Sequence, residues 1–213
     1  LIKEKDEYAR PALEFSVVDE FPDSVKHKPV PKRKQSESPP AAPVAPAAKL
    51  PATLSPQLAT LADAPPPDAQ DWLFEAKFDG YRILARCDGK QLALLTRNGN
   101  DWTHKLTKLH AALQKLGLPP GWYDGEIVVN NADGRPDFGA LQRAFEADTT
   151  SEIVYYLFDV PYFDGHDLRG QPVEARRALL RQLLQSLPAS PLVRFSDTLD
   201  AAPRQLLAQA CKL

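Results

Sequence analysis

"WLFEAKFDGYRILARCDGKQLALLTR", from Trp72 to Arg97, decides how the folded part of this chain is built. It divides into three strand-like runs, Trp72 to Phe78, Tyr81 to Asp88 and Gln91 to Arg97. Between them stand Asp79-Gly80 and Asp88-Gly89, dipeptides of the kind that close tight hairpin turns. The reading is three consecutive strands paired antiparallel. The same stretch raises a chemical question, because "EAKFDGYR" (Glu75–Arg82) sets carboxylates, an amine, a glycine and a guanidinium within eight residues.

Outward from this stretch, the periodicity changes. "PQLATLA" before it reads as a short helix. After it, Trp102, Leu106, Leu109, Leu113 and Leu116 recur at steps of four and three, the apolar stripe of an amphipathic helix. "WYDGEIVV" and "EIVYYLFDV" are two further strands, dense in β-branched and aromatic residues. "FDGHDLRG" (Phe163–Gly170) reads as a loop. Pro172 stands where a helix can begin, and Leu179, Leu180, Leu183, Leu184 and Leu187 continue one face. Hairpin-connected strands interrupted by helices predict a mostly antiparallel α+β domain with flanking helices. Trp72, Trp102 and Trp122 read as core or rim packing.

Composition divides the chain further. Of its 21 prolines, 11 fall between Pro29 and Pro67, and the basic cluster Lys26, Lys28, Lys32, Arg33 and Lys34 precedes them. Proline fixes φ and removes a donor, so residues 25–49 are expected to form an extended, semi-rigid linker, either a solvated spacer or a tether for DNA. Residues 1–24 are too few to bury a core of their own; residues 50–213 are enough. The net charge of −2 gives no general attraction to nucleic acid or anionic membrane. No apolar run is long enough to span a membrane. Two cysteines make no disulfide framework and fit a reducing, cytoplasmic compartment.

A lysine at a strand end, followed by a turn, presents its amine at the rim of a cleft. It is nucleophilic only when neutral, so burial or neighbouring cations must favour the uncharged form. Arg82, five residues on, offers positive charge, and Gly80 would let a bulky ligand approach the backbone. Alone, the pattern is equally that of a surface lysine beside an ordinary hairpin. "TRNGND" (Thr96–Asp101), "DGE" (Asp124–Glu126) and "LFD" (Leu157–Asp159) then add polar groups at the ends of successive strands. Four such clusters point to one cleft at one edge of a sheet. His104 and His110, six apart on the predicted helix, do not share a face as metal ligands would.

The ordered series Lys77-x-Asp79-Gly80-x-Arg82, Arg97-x-Gly99, Asp124-Gly125-Glu126 and Phe158-Asp159 resembles the motifs of covalent nucleotidyltransferases: ATP-dependent DNA ligases, RNA ligases and capping enzymes. "FEAKFDGYR", "LLTRNGNDWT", "YDGEIVV" and "LFDVPYFDGHDLR" are most similar to the ligase module of the bacterial multidomain end-joining ligase D family. The resemblance covers about Pro51 to Leu187. "LIKEKDEYA" is similar to the last strand of the phosphoesterase domain that precedes that module in some members, so residues 1–24 are expected to be its tail.

The resemblance implies an ATP-grasp-like adenylation domain, with ATP and Mg²⁺ or Mn²⁺ as cofactors. In it, Lys77 would attack the α-phosphate and carry AMP, Glu75 would lie near the adenine, and Phe158 would stack on its ring. Arg82 and Arg97 would hold ribose and phosphates, and Glu126 would contact the ribose or a metal-bound water. Asp159 would support the site from behind. It further implies nicked or broken double-stranded DNA as substrate, a Ku-like end-binding partner, and a bacterial, nucleoid-associated setting. The family's later glutamate motif, second lysine motif and OB-fold domain have no counterpart here, so the chain is expected to be a linker plus most of the first half of the catalytic domain. An RNA ligase, a capping enzyme and a non-catalytic binding module remain the alternative readings.

Overall fold

The computed structural model describes residues 45–61 and 72–199. The expected phosphoesterase-like tail and most of the linker lie outside them. Two compact units divide the chain. Of the first, only Trp72–Phe74 are described, and these carry no strand pairing. The second comprises residues 37–61 and 75–199 and holds every element discussed below.

One sheet organises this unit. β1 (Tyr81–Cys87), β2 (Leu92–Thr96), β3 (Gly121–Val128), β4 (Val154–Phe163) and β5 (His166–Asp167) lie in the order β2-β1-β3-β4-β5, all antiparallel. β6 (Val193–Phe195) pairs with β4 in parallel, Leu157 opposite Phe195. Among the described residues, three α-helices flank the sheet: α1 (Thr107–Leu116), α2 (Phe138–Glu146) and α3 (Val173–Ser186). The expected α+β class is the one observed.

Alternation along the strands assigns the two faces. In β1, Ile83 and Ala85 are fully buried in the main core, with Leu94, Leu109, Leu113, Tyr123 and Ile127. Tyr155 also belongs there, and its hydroxyl lies 2.7 Å from the Ile83 carbonyl and 2.9 Å from the Tyr123 carbonyl, tying β4 to β1 and β3. Arg82, Leu84 and Arg86 take the opposite face. On it, Leu84, Trp122 and Tyr162 form a second, smaller core, covered by Ala48, Leu50 and Leu54. The Pro51 carbonyl accepts from Trp122 Nε1 at 3.1 Å and from Arg86 Nε at 3.3 Å. Residues 45–57 are therefore a strap laid across one end of this face. Proline suits a strap, since it contributes carbonyls without bringing donors to satisfy.

Most predicted elements are present, and the exceptions are instructive. No helix forms at "PQLATLA" over the described residues 56–61. The expected strand Trp72–Phe78 reduces to one bridge, Glu75 with Thr198. Asp79-Gly80 therefore closes no hairpin. Gly80 lies against β3, where a Cβ would stand 2.1 Å from the Ile127 carbonyl oxygen. The sheet's own backbone requires a residue without a side chain here. "FDGHDLRG" is a hairpin: Asp164 and Gly165 both take positive φ, 44° and 80°, and turn β4 into β5. Trp122 is fully buried, whereas Trp72 is 59% exposed.

Candidate active site

The polar residues of the sheet's second face continue beyond the strap into a cleft of about 920 Å³. β1–β3 pairing sets Arg82 directly opposite Glu126. The extended segment before β1 brings Glu75 and Lys77 to the wall, Arg97 follows β2, and Phe158 belongs to β4. All six residues singled out from sequence line this one cleft. Lys77 is exposed on its wall, within electrostatic reach of Glu126.

Arg82 is held rather than free. Its Nε and Nη2 donate to the two oxygens of buried Asp124 at 2.6 and 2.8 Å, and its guanidinium lies 4.4 Å over the Phe158 ring. Nη2 also reaches the Gln57 carbonyl at 3.3 Å, so the strap ends at the cleft. Burial pushes the Asp124 carboxyl up, and Arg82 pulls it back. This is a fork-on-carboxylate pair, which fixes geometry as well as charge. Arg97, exposed on the same wall, carries the more available positive charge.

Glu126 has no such fork. Burial drives its carboxyl to about 7, against the pull of Arg82 and then Lys77. An acid whose folded pKa is raised binds its proton more tightly folded than unfolded. The fold therefore loses stability as pH rises from about 4.5 to about 7, and the loss is complete above that. Screened by solvent at this half-buried site, the expected cost at pH 8 is about 1–2 kcal/mol. Glu126→Gln should melt with the parent at pH 4 and above it at pH 8, read by circular dichroism at both pH values. A gap that does not change with pH would count against this origin.

Two arginines went unread in the sequence. On the buried side of α3, Arg176 Nε and Nη2 donate to Asp159 at 2.7 and 2.9 Å. Arg177 pairs with Glu75, donates to the Phe158 carbonyl at 3.0 Å, and donates through Nη2 to the Ser196 carbonyl at 2.6 Å. The available signal was their place on the apolar stripe one turn before Leu180. A cation there needs a buried acceptor, because an unpaired one is too costly. Asp159 is accordingly the acceptor that docks α3 on β4. Chemically, the cleft sets an amine, a guanidinium and a half-buried acid around an aromatic ring, a set suited to a ring-bearing polyanion.

The chain is similar to known proteins along most of its length. The family model of the ATP dependent DNA ligase domain matches residues 56–209. The multifunctional non-homologous end joining protein LigD of Pseudomonas aeruginosa is 45% identical over 220 residues, covering all of this chain and 26% of that protein. The corresponding LigD of Mycobacterium tuberculosis is 37% identical over 130 residues, 61% of this chain and 17% of that one. Among solved structures, the ligase domain of M. tuberculosis LigD superposes with a TM-score of 0.58 at 30% identity, covering 66% of this chain and 45% of that domain. A mycobacterial DNA ligase D complexed with ATP and MES gives 0.57 at the same identity, covering 66% and 44%. The chain thus spans about a quarter of its Pseudomonas relative and less than half of the solved ligase domains. Matched along most of its length and folded alike, this chain belongs to the ATP dependent DNA ligase domain family.

Proposed function

We propose that this chain supplies the nucleotide-binding face of an ATP-dependent DNA ligase that acts in end joining. The observation that supports it most is the convergence of Lys77, Glu75, Arg82, Arg97, Glu126 and Phe158 on one cleft. In this reading the unprotonated Nζ of Lys77 attacks the α-phosphorus of ATP. An N–P bond forms, the bond from that phosphorus to the bridging oxygen breaks, and pyrophosphate leaves with the electron pair. The amine's proton passes to solvent or to a neighbouring base. AMP then moves to a DNA 5′-phosphate, and the adjoining 3′-hydroxyl displaces it to seal the nick. Splitting the exchange this way replaces one hard step by easier ones.

Phe158 stacks on the base, Glu75 meets its edge, and Glu126 faces the ribose. Arg97 neutralises phosphate oxygens, while Arg82, fixed by Asp124, lines the sugar side. Charge neutralisation and positioning are the main demands of phosphoryl-type transfer. Among the described residues no three His, Cys, Asp or Glu side chains gather as a metal site. Glu126 would meet a bound Mg²⁺ or Mn²⁺, directly or through water, and the ion would supply charge neutralisation at the phosphates. The substrate is nicked or broken double-stranded DNA, with a Ku-like end-binding protein as recruiter in a bacterial nucleoid. Residues 1–24 end a phosphoesterase-like domain, 25–49 link it, and 50–213 begin the adenylation domain. Among the described residues, no helix is long and apolar enough to cross a membrane.

The test joins this chain to the remaining part of the Pseudomonas ligase domain and offers it ATP labelled at the α- or the γ-phosphate. Protein label from the first and none from the second is the expected result, and the label should survive alkali but be released by hot acid, as an N–P bond requires. Label from GTP in preference to ATP would replace the ligase reading with a capping-type one.

A further inference from the structure

Resting on the nucleotide-binding reading above, we infer that Arg177 is a positioning residue that sets which purine the cleft accepts, by holding the Glu75 carboxylate beside the Phe158 ring. Arg177 lies behind the cleft wall, its side chain 5% exposed, while the Glu75 side chain that it grips is 38% exposed. One guanidinium therefore joins a solvent-facing acceptor to a buried frame.

The frame is over-determined. Nη1 of Arg177 serves both Glu75 Oε1 and the Phe158 carbonyl, Nη2 serves the Ser196 carbonyl, and the guanidinium stacks 4.9 Å from the centre of the Phe195 ring. These contacts come from β4, β6 and the segment before β1, and they fix the arginine in one place. A planar fork committed to three acceptors loses little further freedom when a ligand binds. Glu75 is also held through its backbone, by the bridge to Thr198. The same cation thus places the ring on which a base would stack and the carboxylate that would meet the base's edge.

That carboxylate has two oxygens. Oε1 is taken by Arg177, and Oε2 remains able to accept from a donor on the ligand. Burial raises the Glu75 carboxyl, and Arg177 is the largest opposing influence, so the arginine also favours the ionised, acceptor-only form. An ionised carboxylate accepts from an exocyclic amine, as adenine carries. It repels a carbonyl oxygen in the same place, as guanine carries. Discrimination by an unpaired acceptor is far steeper than discrimination by shape. Lysine in place of Arg177 would keep a charge but lose the fork.

The experiment measures equilibrium binding of ATP and of GTP to the 213-residue chain without divalent cation, by calorimetric titration, for the parent and three variants. The parent should prefer ATP. Arg177→Met and Glu75→Gln should each reduce the ATP-over-GTP preference at least about tenfold, the worth of one charge-assisted hydrogen bond, through weaker ATP and stronger GTP binding. Arg177→Lys should recover part of it. A purely structural arginine would weaken both nucleotides together and leave the ratio unchanged, and that result overturns the inference. Arg177→Lys keeps a buried cation without the fork, so it decides the matter if Arg177→Met does not fold: a ratio equal to the parent's overturns the inference. A parent that binds both purines equally overturns the inference and leaves nucleotidyl transfer standing. A parent that binds neither overturns both.

Discussion

Lys77→Ala is expected to remove covalent labelling by α-labelled ATP, with a loss of at least about a thousandfold in the rate of adenylyl transfer. The size follows from the kind of role proposed. A positioning group removed leaves the reaction slower, but a nucleophile removed leaves no bond to form. The geometry makes the variant informative, because Lys77 is exposed on the cleft wall and carries none of the buried core. Its truncation should leave the fold, and hence the melting temperature, nearly unchanged. Lys77→Arg separates charge from nucleophilicity: a guanidinium stays protonated, so binding of ATP should persist while label does not appear. The reading fails if either variant labels as fast as the parent. Label displaced to another residue would keep the activity class and correct the assignment.

Gly80→Ala should destabilise the fold by about 3–5 kcal/mol, near or beyond the upper end for overpacking. The added methyl would meet the Ile127 carbonyl oxygen at 2.1 Å, Val128 Cγ1 at 2.9 Å and Glu126 Cγ at 3.1 Å. The first of these is backbone. It cannot step aside without disturbing the ladder in which Tyr81 faces Ile127 and Arg82 faces Glu126. A domain of this size shifts by about 2–4 °C per kcal/mol, so thermal unfolding should begin roughly 10 °C lower or more. Gly99 is the control of opposite kind: φ is +81° but nothing stands within 4 Å of its added Cβ, so alanine there costs only local strain, about 1 kcal/mol. Were Gly80 small for a ligand's sake, Gly80→Ala would melt with the parent and lose only nucleotide affinity.

The glycine shows where a local reading stops. Asp79-Gly80 looks like a hairpin turn because the residues before it are apolar enough for a strand. A strand needs a partner, however, and in the sheet β1's two edges are already taken by β2 and β3. The segment 75–78 is left to line the cleft, with one bridge at Glu75. "PQLATLA" fails as a helix for a related reason, since residues 51–59 run from carbonyl contacts with Trp122 and Arg86 to Arg82 at the cleft. Tertiary partners overrode local preference at both places.

Other features were legible because their cause is local. The step of 3.6 in Leu109, Leu113 and Leu116 requires an apolar helical face whatever it meets, and α1 buries those three. Alternation in Tyr81–Cys87 requires two-faced pairing, and β1 has it. The order of polar clusters along the chain pointed to one cleft, although only Arg97 follows a strand: Glu126 and Phe158 stand inside β3 and β4, and pairing across the sheet, not strand ends, brings them together.

What the sequence alone determined was the list of chemical groups and the α+β frame that carries them, since residue type and period act over a few positions of chain. Only the tertiary structure decided how those groups are paired. Arg82 is committed to Asp124, 42 residues away, and Glu75 is gripped by Arg177 across 102. The physical reason is that a buried charge has to find an opposite one in space, and distance along the chain does not say which one will be near.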